Sequence, residues 1–188
     1  MRSRSTIVVL LYLMSSSEKL VKKSFRVSMR GYEGLEDIAK ERDVSVNTVV
    51  REVVDQYVDY EYTCTKMKIQ HVDVTFLRFL TDRIPKEKLV EFAKTYARTI
   101  EGSLDLNYKS PKPSFETLMK TIRIYCKYNS QKLVETTHES SKIAIIIHDA
   151  GLNYSEFLAN YYKTLFETID VKIGYSSDEN AVVLKFPS

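Results

Sequence analysis

From Lys22 to Arg30 apolar and polar residues alternate without a break. Phe25, Val27 and Met29 fall on one side, and Ser24, Arg26, Ser28 and Arg30 on the other. A period of two predicts a strand with one greasy face and one polar, basic face. The period then lengthens. Leu35, Ile38 and Ala39 recur at helical spacing with acids in the first turn, which predicts a short helix that Asp43-Val44-Ser45 ends. Ser45 is a suitable N-cap for a second helix, in which Val46, Val49, Val50, Val53, Val54, Tyr57 and Val58 form one apolar stripe. Valine is a mediocre helix former, so this helix must draw its stability from packing.

Beyond residue 60 the pattern predicts a second folded region. Val72–Arg83 reads as a helix with Phe76, Phe79 and Leu80 on one side, and Ile84-Pro85 marks the start of another. That helix carries Leu89, Phe92, Ala93, Tyr96, Ala97 and Ile100 along one face. Tyr108–Ser114 (YKSPKPS) reads as a loop, and Phe115, Leu118, Met119, Ile122, Tyr125 and Cys126 as a third amphipathic helix. Strands are expected at Lys132–Thr137 and Lys142–His148, the isoleucine run of the second suggesting burial on both faces. Asn153 with Glu156 resembles a capping box opening a fourth helix, and Val171–Tyr175 with Ala181–Phe186 reads as a closing hairpin. The order ααα-ββ-α-ββ is that of an α+β domain.

Three stretches follow: 1–21, an N-terminal arm or extra element; 22–60, a small module; and 61–188, an α+β domain for sensing or oligomerisation. In the arm, Ile7–Met14 is an apolar octamer behind Arg2 and Arg4 and ahead of three serines. It is too short to span a bilayer and lacks a small-residue cleavage site. Two readings stay open, an extra strand or helix packed on the body, or sequence upstream of a start at Met14. The module of about 40 residues is below the size at which one chain buries an adequate core. A lone strand also leaves its backbone edge unpaired. Two copies pairing strands and interlocking helices solve both problems, so a homodimer is expected, with pairing of dimers into tetramers left open.

Composition adds little by itself: 44% hydrophobic and 28% charged residues suit a globular chain, and the net charge is only +3. Distribution adds more. Residues 1–30 hold seven Lys/Arg against one acid, whereas residues 31–61 hold three against nine. Such a dipole along the chain presents one positive face, which a polyphosphate partner attracts. Cys64 and Cys126 form neither a disulfide framework nor a metal-type pair, so a cytoplasmic protein that does not enter the membrane is expected.

Two strands paired as a ribbon fit the major groove of double-stranded DNA, where outward side chains reach base edges. Ser24, Arg26 and Ser28 are suitable readers, because a guanidinium forks onto guanine and hydroxyls both donate and accept. Lys22, Lys23 and Arg30 add phosphate contacts. The run SFRVSMRGYEGLEDIAKERDVSVNTVVREVVDQYVDY resembles the ribbon-helix-helix (CopG/methionine-repressor-like) regulators. The features that match are the F-R-V-S-M strand, the L-E-D-I-A-K-E-R helix, the V-S turn and the N-T-V-V-R-E-V-V second helix. Gly31-Tyr32-Glu33-Gly34 departs from the family's usual lead into its first helix. The resemblance covers about a fifth of the chain. It implies an obligate dimer, base reading by Ser24, Arg26 and Ser28, and phosphate held at Ser45, Val46 and Asn47, where a helix N-terminus favours an anion.

Other chemistry is thin. His71, His138 and His148 form no metal-type spacing, so neither a metal nor a cofactor is expected. No catalytic constellation is legible and no enzyme is expected. His148-Asp149-Ala150-Gly151 sits between a strand and a helix start, where a histidine more often caps a turn than binds a ligand. Nine Tyr and seven Phe follow residue 61, and could line an effector pocket or simply form core. Tyr161 and Tyr162 are adjacent, so one of them is a candidate interface residue. The leading expectation is a dimeric, sequence-specific transcriptional regulator, with a small-molecule effector unidentified. The alternatives are an antitoxin of a toxin-antitoxin pair and a small-molecule receptor dimerised by the front module.

Overall fold

Ser28 decides where the first strand stops. In the computed structural model, which describes residues 6–10, 22–67, 69, 71–108, 113–138 and 140–187, β2 (Lys22–Arg26) ends four residues before the alternating pattern does. The Ser28 side chain accepts a hydrogen bond from the Gly31 amide at 3.1 Å, and α1 (Met29–Glu41) starts at the next residue. Extended backbone at an N-cap looks like one more strand residue in an alternation pattern, so Met29 and Arg30 were expected in the strand but lie in the helix. A Cβ at Gly31 would stand 3.3 Å from the capping Ser28 oxygen, which favours glycine there. Because the helix starts early, its first turn holds no acid.

The chain is α+β and divides into two compact units, Met1–Tyr62 and Thr63–Ser188. In the first, β1 (Thr6–Leu10) pairs antiparallel with β2, Thr6 opposite Arg26 and Leu10 opposite Lys22. The apolar octamer thus contributes a strand, and the chain itself supplies one neighbour for β2. Asp43, at φ 51°, turns the backbone after α1. Ser45 then caps α2 (Val46–Gln56), accepting from the Thr48 amide at 3.1 Å as its sequence predicts. An Arg42–Glu52 ion pair at 2.6 Å ties the end of α1 to α2. After α2 the helix widens into a π-helical turn, Tyr57–Glu61, before α3 (Tyr62–Met67). The valine stripe is only partly used: Val49 is buried, but Val53, Tyr57 and Val58 are 54–64% exposed.

In the second unit, α4 (Val74–Thr81), α5 (Lys86–Tyr108) and α6 (Phe115–Tyr128) precede β3 (Lys132–His138) and β4 (Ser141–Ile147). Then come α7 (Leu152–Glu167), β5 (Gly174–Ser177) and β6 (Ala181–Phe186). The sheet is antiparallel throughout, in the order β3-β4-β6-β5. Helix α7 packs against β5, β6 and α5, and buries residues nearly all round its circumference. Leu118, Met119, Ile122 and Cys126 of α6 join Ala144 and Ile146 of β4 and Val182, Leu184 and Phe186 of β6 in one core.

Three expectations are corrected here. Strand β4 is buried on one face only: Ala144 and Ile146 are enclosed, Ile143 and Ile145 half-buried and Ile147 exposed. An antiparallel sheet covered by helices on one side needs no second apolar layer. The capping box of α7 does not form. Gly151, at φ 85°, is the N-cap, while the Asn153 amide donates to the Thr81 carbonyl and Glu156 accepts from Ser177. Strand β5 begins at Gly174, not Val171, because Ile173 turns into the core. On α4, Phe76, Phe79 and Leu80 share one side as expected, and that side faces outward while Leu77 and Thr81 face the body.

Candidate nucleic-acid interface

The residues singled out in the sequence fall in three places. Ser24 and Arg26 lie on β2 with exposed side chains. Their backbones are held by pairing with Val8 and Thr6, so the strand is positioned by the sheet ladder rather than by the side chains themselves. The backbones of Lys22 and Lys23 open the same strand, and their side chains lie outside the described residues. Ser28 is exposed but committed to the α1 cap, and Arg30 is exposed within the first turn of α1.

At the start of α2, Ser45 is exposed, Val46 half-buried and Asn47 exposed. The Ser45 hydroxyl and carbonyl both take the Thr48 amide, and its oxygen also lies 2.9 Å from the Thr48 hydroxyl. That arrangement leaves the amides of Val46 and Asn47, which an α-helix cannot satisfy within itself, directed out of the helix start. Partial positive charge collects at such an end. The site therefore offers a guanidinium and a hydroxyl on a strand, and two amides at a helix N-terminus.

The second unit holds the remaining chemistry. His148 is buried and caps a turn: its Nδ1 accepts from the Ala150 amide at 3.2 Å, which places the ring proton on Nε2, 3.0 Å from the Ser155 oxygen. Burial holds its basicity below the usual histidine value. An Nε2 that donates to a serine cannot also take that serine's proton, so the pair reads as structural support for the β4–α7 connection. Tyr154 sits edge-on to the His148 ring and accepts from Gln131 at 3.3 Å, with the Tyr125 hydroxyl 3.4 Å away. Burial raises the Tyr125, Tyr154, Tyr161 and Tyr162 hydroxyls above the usual range and pushes the Cys126 thiol up to about 12, so all stay protonated at neutral pH.

Much of the aromatic density packs, although Phe76, Phe79 and Phe92 are about half exposed. Phe92, Tyr96, Phe157 and Tyr161 stack between α5 and α7, while Phe115, Phe166 and Phe186 meet on the sheet side. Tyr162 lies within the core, and Tyr161 is half-buried with its ring against Tyr96. A cleft lined by Phe115, Met119, Ile143 and Phe186 opens between α6 and the sheet. Its charged rim is already balanced, Arg123 by Glu135 in a two-point pair and Lys142 by Glu116. Among the described residues no group of three His, Cys, Asp or Glu side chains is placed to hold a metal ion, and no helix is long and apolar enough to cross a membrane.

No family model matches the chain, and neither a curated protein nor a solved structure matches it.

Proposed function

We propose that residues 22–60 form a ribbon-helix-helix module that binds double-stranded DNA as a homodimer, making the protein a sequence-specific transcriptional regulator. One observation carries the reading: the first unit exposes Ser24 and Arg26 on a strand while Val27, Ile38, Val53, Tyr57 and Val58 lie open to solvent. A unit this small with five large apolar side chains outside is short of core, and a second copy is the simplest cover. Strand β1 satisfies one edge of β2; the other has no strand neighbour among the described residues, and a second β2 would pair there. In that arrangement Arg26 from each copy reads a base edge, Ser24 adds a hydroxyl, and the amides of Val46 and Asn47 hold a phosphate on either side. Ser28 contributes by shaping the strand-to-helix turn, since its oxygen is engaged in the cap. The second unit then senses an effector or adds contacts between subunits.

Purified protein used to select fragments from genomic DNA should enrich a motif with two short half-sites. Against that motif, Arg26→Ala should weaken binding by about 1–3 kcal/mol, roughly 5- to 150-fold. Unchanged affinity in a fluorescence-anisotropy titration, or no enriched motif, would overturn the reading.

A further inference from the structure

We infer that the outward face of α4 is a second contact between copies of this chain, formed when two α4 helices pack antiparallel about a two-fold axis. Residues 76, 79 and 80 fall within one 100° arc of a helix that advances 100° per residue. Phe76, Phe79 and Leu80 are 53%, 48% and 39% exposed, and Val72 just ahead of the helix is 51% exposed. The two phenyl rings stack at 6.3 Å, and the Arg83 guanidinium lies 3.4 Å above the Phe79 ring while donating to its carbonyl. The patch is therefore a preformed aromatic ridge. It spans roughly 400 Å² per copy, within the range of the largest apolar patches that monomers leave open and often use.

Charge selects the occupant. Asp73 caps the start of α4, its carboxylate accepting from the Thr75 and Phe76 amides, and Arg83 closes the other end. An antiparallel partner helix of the same sequence sets its Arg83 beside this Asp73 and its Leu80 opposite this Phe76, with helix dipoles opposed. Self-complementarity under a two-fold is what an isologous contact requires. The pair would bury roughly 800 Å² in total, too little to hold two free chains together. The inference accordingly rests on the dimeric reading of residues 22–60, because tethering by that module raises the local concentration of the second α4 to the millimolar range.

Cross-linking tests it on the full chain. Cys64 and Cys126 are buried, so a cysteine introduced at Leu80→Cys is the reactive one. With a short bis-maleimide it should give covalent dimer at least roughly tenfold faster than Lys120→Cys, an exposed position on α6. Adding Phe76→Glu should abolish that advantage without lowering the urea midpoint, since Phe76 is not core. Val53→Asp, which opposes pairing of the first unit, should convert dimer to monomer in sedimentation equilibrium and slow the cross-link with it. Equal rates for Leu80→Cys and Lys120→Cys in a chain that sediments as a dimer would overturn the α4 contact and leave the front-module dimer standing. A wild-type chain that sediments as a monomer and does not cross-link would overturn both.

Discussion

Alternation puts Ser28 on the base-reading face, and only the structure shows that its oxygen also caps α1, accepting from the Gly31 amide at 3.1 Å. His148 had two meanings in the sequence, and local geometry chose between them. For His148 the turn-capping role is the one realised. Its neutral ring accepts at Nδ1, and protonation would set an N–H against the Ala150 N–H inside a buried site. Burial therefore lowers its basicity from the ordinary 6.5, so the folded chain takes up that proton less readily than the unfolded chain. The stabilisation is complete above about pH 6.5 and is lost as pH falls below it toward the folded-state value. His148→Leu should cost about 1–3 kcal/mol at pH 7.5, by leaving the buried Ala150 amide without its His148 acceptor. It should also flatten the decline in stability on acidification to pH 5.5. Urea titrations of the two proteins at both pH values measure both effects, and an unaltered acid slope would show that His148 is not the titrating group.

At the scale of elements, most of the fold was legible because periodicity reports which residues must leave water. Helices α5 and α6 bury Leu89, Ala93, Ala97, Leu118, Met119, Ile122 and Cys126 as their spacing requires. Ser45 and Ser114 cap their helices with the same geometry, a 3.1 Å bond from the N3 amide and a 2.9 Å approach of a threonine hydroxyl. Replacing either with alanine should cost about 1 kcal/mol of stability. On the DNA-binding reading, only Ser45→Ala should also weaken operator affinity, since only that cap orders amides at the phosphate. Equal affinity for both variants would remove the start of α2 from the interface. What periodicity missed was direction. Phe76, Phe79 and Leu80 mark an apolar face of α4 correctly, yet Leu77 and Thr81 are the residues that meet the body. A stripe of three large residues on a short helix is consistent with a core or with a contact surface, and no local signal separates them. Asn153 and Glu156 matched a capping box, but Thr81, Ser177 and Lys86, distant in sequence, compete for their side chains.

At the scale of the molecule, the two units differ in how complete they are. The second encloses a core of aromatic and aliphatic side chains between a four-stranded sheet and its helices. Among its described residues the first buries Ala39, Val49 and Tyr60, half-buries Val46, Val50 and Val54, and leaves Val53, Tyr57 and Val58 exposed. Unfolding in urea should therefore show a transition of the first unit whose midpoint rises with protein concentration, because association contributes to its stability. The main transition of the second unit should move far less. Hydrogen exchange read on peptides from residues 29–60 and from residues 113–187 follows the two units separately. A concentration-independent first transition would argue against the dimer.

By itself the sequence determined the α+β order, the cap at Ser45, most core residues and the deficit of core in residues 22–60. Each of these follows from local spacing and from how much apolar surface a segment carries. The tertiary structure decided that β1 pairs with β2, that the sheet runs β3-β4-β6-β5, that α7 starts at Gly151 and that α4 turns its aromatic face outward. Those outcomes depend on which partner reaches a given edge or side chain first, and the competitors lie tens of residues away along the chain.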